Sequence, residues 1–337
     1  MKRAAAISGI VLAVALAGAW VEWTSEEAVD LEGKVVLLQG DADAISAVRW
    51  VSEDSEASIA RMSDPRGSYF WVDYTRWSKE LLPAAREGDD TGEPNEEPER
   101  KATRSAFKSA SKADDLMASL SPMVAQRSLD VTDEAKLEAM GLTTPSASIE
   151  IDRGGRTQKL AVGGEAYGTR DYYVRHEETG KIYLVDRTLI QPLKYARTRL
   201  PDRSLFDVER ADLTNVSIAA DSRNLSLVHL NADDPTKAAW AETSAADVPL
   251  AQPTTWVDKF LELKGTRYAD PETELVGLEQ RFSVTLTSDK TSTLIAVQQV
   301  GSDGDWYASS EHTRGLVKLV RSTASSLSED IDGLLGE

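Results

Sequence analysis

"ASIEIDRGGRTQKLAVGG", residues 147–164, alternates apolar and polar positions, turns at a glycine pair and alternates again. A period of two is the signature of a half-buried strand, and Gly154-Gly155 between two such runs signals a tight hairpin. "RFSVTLTSDKTSTLIAVQ", residues 281–298, lies beside it as a looser copy. A hairpin written twice predicts that the rest of the chain repeats around it.

The surrounding sequence does repeat, in order. "AISAVRWVS" (44–52) faces "DLTNVSIAA" (212–220), and Trp71 faces Trp240. "DDLMASLSPM" (114–123) faces "TTWVDKFLEL" (254–263), and Gly141-Leu142 faces Gly277-Leu278. "DYYVRHEETGKIYLVD" (171–186) faces "DWYASSEHTRGLVKLVR" (305–321). The offset falls from 168 residues at Val48/Val216 to 136 at Gly141/Gly277, as an insertion in the first copy requires. The natural insertion is "AREGDDTGEPNEEPERK" (85–101), with seven acids, two prolines and two glycines. That composition cannot bury enough surface to offset its ordering entropy and reads as a disordered loop.

Each copy reads as three or four strands, a helix, a brief turn, four strands and a helix. Strands are expected at 34–40, 45–52, 56–62 and 68–74, with "DPRG" (64–67) as the turn between the last two. Residues 103–127 read as helical from the spacing of Phe107, Ala110, Met117 and Leu120, although Asp114 breaks the face. A brief helix at 133–142 ends on Gly141, and one at 188–196 is open to interruption by Pro192. In the second copy, strands are expected at 213–220, 224–231 and 237–243. A helix at 254–265 is capped by Thr254 or Thr255 and terminated by Gly265. A last helix lies near 322–335. Short connections favour antiparallel pairing. The expected fold is therefore α+β: two tandem copies of a mostly antiparallel, strand-rich unit with packed helices, spanning 34–203 and 204–337.

Ahead of them, Lys2 and Arg3 precede the uncharged run "AAAISGIVLAVALAGAWV" (4–21). Eighteen helical residues rise about 27 Å, close to the hydrocarbon thickness of a bilayer. The basic end should stay in the cytoplasm, with Trp20 and Trp23 in the interfacial belt. Residues 1–23 thus read as a transmembrane signal anchor and 24–33 as a polar stem. The alternative is a signal peptide cleaved after Ala19, for which Ala17-Gly18-Ala19 supplies the small-x-small site. Either places the remainder outside the cytoplasm, on the inner membrane or in the periplasmic space.

The chain has 56 acidic and 38 basic residues, a formal charge of −18. That opposes nucleic acid as a partner, since such binding rests on Lys and Arg clustered against phosphates. The absence of cysteine excludes disulfides, thiolate nucleophiles and a lipoprotein attachment site.

No motif carries chemistry. His176, His229 and His312 have no metal-type spacing and read as surface residues. "VGGEAYG" (162–168) lacks both the Walker and the Rossmann patterns and reads as a loop between strands. "GSDGDW" (301–306) lacks the acidic partner of an EF-hand. No catalytic, cofactor-binding or metal-ligating residue is assigned, and no cofactor is expected. Exposed Trp50, Trp77 or Tyr74 would favour a binding cleft, whereas Trp71 and Trp240 read as core.

The order Gly141-Leu142, Pro145, Ile149, Ile151, Leu160, Val162 and Gly163, followed by Tyr172 to Arg175, Ile182 to Asp186, and Leu200, Asp202 and Leu205, resembles a bacterial family called domain of unknown function 4340. The clear likeness covers roughly residues 130–210. It implies a membrane-anchored extracytoplasmic protein encoded beside ABC-2-type transporters similar to those of gliding motility. It transfers no catalytic residue. The expected function is a non-enzymatic accessory or scaffold subunit associated with an ABC-type transporter or envelope complex. The alternatives are an envelope-glycan or small-ligand binding module and, third, a hydrolase using facing carboxylates.

Overall fold

A computed structural model describes residues 33–79, 100–270, 277–289, 291–299 and 304–336. The anchor run, the stem up to residue 32 and most of the acidic insertion lie outside the described residues. Among the described residues, no helix is long and apolar enough to cross a membrane.

The first half opens with strands β1 (Val35–Leu38), β2 (Ile45–Ser52), β3 (Ser55–Asp64), β4 (Gly67–Lys79) and β5 (Arg100–Lys108). Helix α1 (Lys112–Ser119), β6 (Met123–Ala125), β7 (Arg127–Leu129) and helix α2 (Glu134–Ala139) follow. Then come β8 (Ala147–Arg153), β9 (Arg156–Glu165), β10 (Tyr172–His176), β11 (Ile182–Val185) and helices α3 (Arg187–Lys194) and α4 (Ala196–Arg199). The second half has β12 (Asn215–Ala220), β13 (Arg223–Leu230), β14 (Ala239–Glu242), β15 (Pro249–Leu250) and helix α5 (Ala251–Leu261). It ends with β16 (Gly265–Tyr268), β17 (Leu278–Thr287), β18 (Thr291–Gln299), β19 (Trp306–Ser310), β20 (Val317–Leu319) and helix α6 (Arg321–Leu335).

Two nine-stranded sheets result, with orders β5-β4-β3-β2-β8-β9-β10-β11-β7 and β15-β14-β13-β12-β17-β18-β19-β20-β16. Their ladders are antiparallel throughout. Both follow one path. A meander runs outward from the centre, the chain crosses through a helix to the far edge, and a second meander fills the gap. The architecture is α+β and mostly β.

Alternation decides the faces. Ala147, Ile149 and Ile151 are buried, while Ser148, Glu150 and Asp152 are not. Their face joins Val48, Ile59, Val72 and Phe107 in one core, and Val216, Leu227, Val284 and Trp240 belong to a second core. Each fully buried aliphatic side chain contributes about 1.5–3 kcal/mol.

The two hairpins that open the sequence reading match only after a correction. Side by side, they set Ile149 against Ser283. The structure pairs Ile149 with Leu160, and Val284 with Leu294. Ile149 therefore corresponds to Val284. On that correspondence Thr287↔Thr291 is the counterpart of Asp152↔Thr157, and the two pairs enclose three and four residues, so the second hairpin is one residue shorter. The missing turn residue slips the first strand of the alignment by one, which in a strand reverses every face.

Other boundaries also differ. Residues 103–108 are not helical: β5 pairs with β4 from Trp71↔Lys108 to Lys79↔Arg100. The free edge of β4 supplies hydrogen bonds that outweigh a helical spacing already broken at Asp114. Phe107 is buried from a strand, Met117 from helix α1 and Leu120 from that helix's C-cap. Helix α5 begins three residues before Thr254, whose hydroxyl donates to the Leu250 carbonyl and accepts from the Trp240 N–H. Gly265 does not end that helix. It opens β16, where a Cβ would stand 2.1 Å from Val317 Cγ1. Helix α3 runs through Pro192 to Lys194 and breaks at Tyr195. Proline forgoes one bond, to Thr188 in the first turn.

Candidate functional site at the seam of the two sheets

"LPDRSLF" (200–206) connects the two cores. Leu200 is buried in the first and Leu205 in the second. Between them the backbone behaves as a short strand stitched on both sides. Toward β5, Asp202 N donates to Lys108 O at 2.9 Å, and Ala110 N donates to Leu200 O at 2.9 Å. Toward β16, Gly265 N donates to Arg203 O at 2.9 Å, and Ser204 bridges Lys264. Strands β5 and β16 are edge strands of their sheets. An edge strand leaves backbone groups unpaired, and here the linker covers both edges.

Asp202 is the polar centre of this seam. Its Oδ2 accepts from Lys108 Nζ at 2.8 Å and from His312 Nε2 at 2.8 Å, and its Oδ1 accepts from Ser204 N at 3.0 Å. Lys108 and Asp202 are only 8% and 9% exposed, so these groups have little water to fall back on. Burial pushes the Asp202 carboxyl up. The hydrogen bonds from His312, Lys108 and the Ser204 N–H outweigh it and hold the group well below the usual carboxylate range. Lys108 comes from the first sheet and His312 from the β19–β20 turn of the second, so one carboxylate holds three segments together.

A second tie lies beside it. The "DPRG" turn of the first sheet meets the "EHTRG" turn of the second. Arg314 grips Asp64 with Nε at 2.5 Å from Oδ2 and Nη2 at 3.1 Å from Oδ1. Its guanidinium lies 4.1 Å from the centroid of the Tyr69 ring. Arg66 donates to Thr291 O at 3.1 Å and pairs with Glu311 at 3.3 Å. Arg314 has φ +54°, at the position where the first copy's turn places Gly180 at φ +65°. A side chain at positive φ is strained, and its bidentate grip across the seam offsets that strain.

The hydrogen bond and charge of Arg314 lower the Asp64 carboxyl from 3.8 to about 2. A lowered folded-state value means stability present above the unfolded value and lost as pH falls through the folded one. The stability difference between the wild type and Asp64→Asn should therefore be constant above pH 3.8 and vanish as pH falls past about 2. Urea unfolding across that range measures it. A difference that persists unchanged at the lowest pH would refute the assignment.

The seam leaves a polar groove. Its lining includes Arg66, Tyr69, Lys108, Asp289, Glu311 and His312, around a cavity of about 740 Å³. Aromatic and cationic groups from both sheets thus share one depression. Tyr268 of β16 packs against both cores, with its ring 6.4 Å from Trp71 and 6.1 Å from Phe107.

The polar and aromatic residues of the 171–186 hairpin sit elsewhere. Arg175 donates to Leu142 O at 3.1 Å, and His176 is buried at 6% exposure. Tyr172 donates to Glu165 at 2.6 Å, and burial above all pushes its phenol up. The surface reading of the histidines is corrected. His176 is buried, His312 is held in the seam, and His229 stacks 4.3 Å from Trp240 with Nδ1 2.9 Å from Leu213 O. His176 shares its strand face with buried Tyr172 and Val174, which draws it inward, whereas His312 sits on a turn and is held by Asp202 and Lys108. Trp50 and Tyr74 are buried at 3% and 8%, so they line no cleft, and Trp77 is half-buried. Trp240 is core, whereas Trp71 is half-buried against Tyr268. Asp305 pairs with Lys318, and residues 301–303 lie outside the described residues. Among the described residues, no three acidic or imidazole side chains converge as metal ligands.

The sequence points to Asp202 only through the Leu-x-Asp-x-x-Leu pattern. Lys108 and His312 lie 94 and 110 residues away from it in the chain, so no local signal names them. The mark that could find this surface is Arg314, an arginine opposite Gly180 in the repeat.

Residues 109–274 match a family model described as Domain of unknown function (DUF4340). The matched region starts just after β5 and takes in the linker with Asp202 and β16, while Lys108, His312, Asp64 and Arg314 lie outside it. No curated protein and no solved structure matches the chain.

Proposed function

From the premise that the chain belongs to the DUF4340 family through residues 109–274, we propose that it is a non-enzymatic accessory or scaffold subunit. It serves an envelope complex built around an ABC-type transporter. The run 4–21 anchors it, and the two sheets stand outside the cytoplasm. The observation that carries this reading is the seam. A buried carboxylate, a bidentate ion pair and a stitched linker join two wide sheets, as a protein that holds partners at a fixed spacing requires. The basic end of the anchor run supports the orientation, and the family resemblance supplies the transporter.

Solubilising native membranes in mild detergent and capturing the full chain tests this. Transporter subunits are expected to come down with it in fixed ratio, and a lone monomer in every detergent would sink the proposal.

A further inference from the structure

A second cavity on the seam, of about 230 Å³, is lined by four arginines, Arg104, Arg197, Arg203 and Arg267, against a single carboxylate, Asp270. Arg104 and Asp270 are already engaged. Arg197 lies on helix α4, Arg203 on the linker and Arg267 on β16, so three separate elements deliver guanidinium groups to one depression. Among the described residues, no ion pair holds Arg197, Arg203 or Arg267.

This runs against the composition. The chain has 56 acids to its 38 bases, so carboxylates to neutralise three arginines are plentiful. Like charges crowded together repel, and a basic hollow in an acidic protein is a focused positive potential. Hydroxyls of Thr103 and Ser105 add neutral donors to the lining, whereas that of Thr266 already donates to Lys318 O at 2.9 Å. Tyr268 also lines the cavity.

We propose that this cavity is an oxyanion site that takes a phosphate group, free or as a phosphomonoester. A carboxylate offers two oxygens and matches one guanidinium fork. A phosphate offers three terminal oxygens in a tetrahedron and can accept from several forks arriving from different directions. The delivery of arginines from three elements suits the second geometry. Because the linker and β16 both contribute, a bound phosphate also adds a tie across the seam. The site stands independently of the scaffold reading and would remain if the transporter partner proved wrong.

Calorimetric titration of the detergent-solubilised full chain with inorganic phosphate tests it. Saturable binding of one phosphate is expected. Arg203→Ser and Arg267→Ser should each weaken it about tenfold, the loss of one charged hydrogen bond. Arg156→Ser, exposed at the start of β9, should leave it unchanged. Arg197→Ser repeats the test from a different element if either of the others fails to fold. Glycerol 3-phosphate is the second arm: tighter binding than inorganic phosphate assigns an esterified source such as a headgroup, and the reverse assigns the free anion. The proposal is overturned by no saturable binding, by arginine variants that bind like the wild type, or by acetate binding as tightly as phosphate at matched ionic strength.

Discussion

Replacing Asp202 with asparagine is expected to destabilise the protein by about 3 kcal/mol and to split its unfolding into two steps. The Lys108 ammonium, with a side chain only 10% exposed, would lose the charge that compensates it. An uncompensated buried charge costs several kcal/mol, far more than a surface ion pair contributes. The second consequence follows from topology. Each sheet has its own core, and Asp202 sits where the linker passes between them. Without that centre, each core keeps its internal contacts and loses its coupling to the other. Urea unfolding followed by tryptophan fluorescence and by far-ultraviolet circular dichroism should give coincident transitions for the wild type and separated ones for the variant. Adding Lys108→Met should recover much of the loss, because the stranded charge goes with it. The acid limb gives an independent check. Asp202 has a lowered carboxyl, so its contribution is present above the ordinary carboxylate value and disappears as pH falls below it. The asparagine variant should lack that limb. A loss below about 1 kcal/mol, or a single unchanged transition, would show that the seam is not held by this residue.

The parts of this fold that the sequence makes plain are those where a strand carries its own pattern. Strand β2 falls on residues 45–52, as its β-branched and aromatic residues predict, and β8 and β9 flank the glycine pair. The parts it hides are set by what lies beside them. Strands β7, β15 and β16 are two to four residues long, too short for a period, and exist because a neighbour's edge is free. Strand β5 displays a helical spacing and still pairs with β4, since tertiary hydrogen bonding outweighs a weak local preference. The seam is hidden for the same reason. Its centre joins residues from β5, the linker and the β19–β20 turn, and only the middle one lies in a recognisable pattern. The stretch "DYYVRHEETGKIYLVD" is rich in charged and aromatic residues because they brace a turn and a helix end. The repeat exposes this, since its second copy keeps the hairpin and drops Arg175 and His176.

Gly163→Ala should cost about 3 kcal/mol, and the neighbouring Gly164→Ala under about 1 kcal/mol. A Cβ at Gly163 would stand 2.3 Å from the carbonyl oxygen of Met140, whereas one at Gly164 would stand 3.6 Å from the same atom. That oxygen is fixed in place. Helix α2 ends with Gly141 at φ +68°, with Gly141 N donating to Glu138 O and Leu142 N to Leu137 O, both at 2.9 Å. These are the two bonds of a Schellman ending, with its glycine in the left-handed position. Met140 O accepts from Gly164 N at 2.8 Å, which docks the helix end on β9. Arg175 Nη1 holds the carbonyl two residues on, that of Leu142, at 3.1 Å, and the Leu142 side chain is fully buried. The "GL", "LAVGG" and "YYVR" elements of the family likeness are thus one physical object: a capped helix end, the bare strand that receives it and the guanidinium that secures it. Backbone cannot yield as a side-chain tip can, so the methyl at Gly163 must lift the cap off the strand. Thermal unfolding of the two alanine variants separates this account from a general intolerance of glycine replacement. Equal losses at the two positions would mean that the close approach to Met140 is not what selects glycine at Gly163.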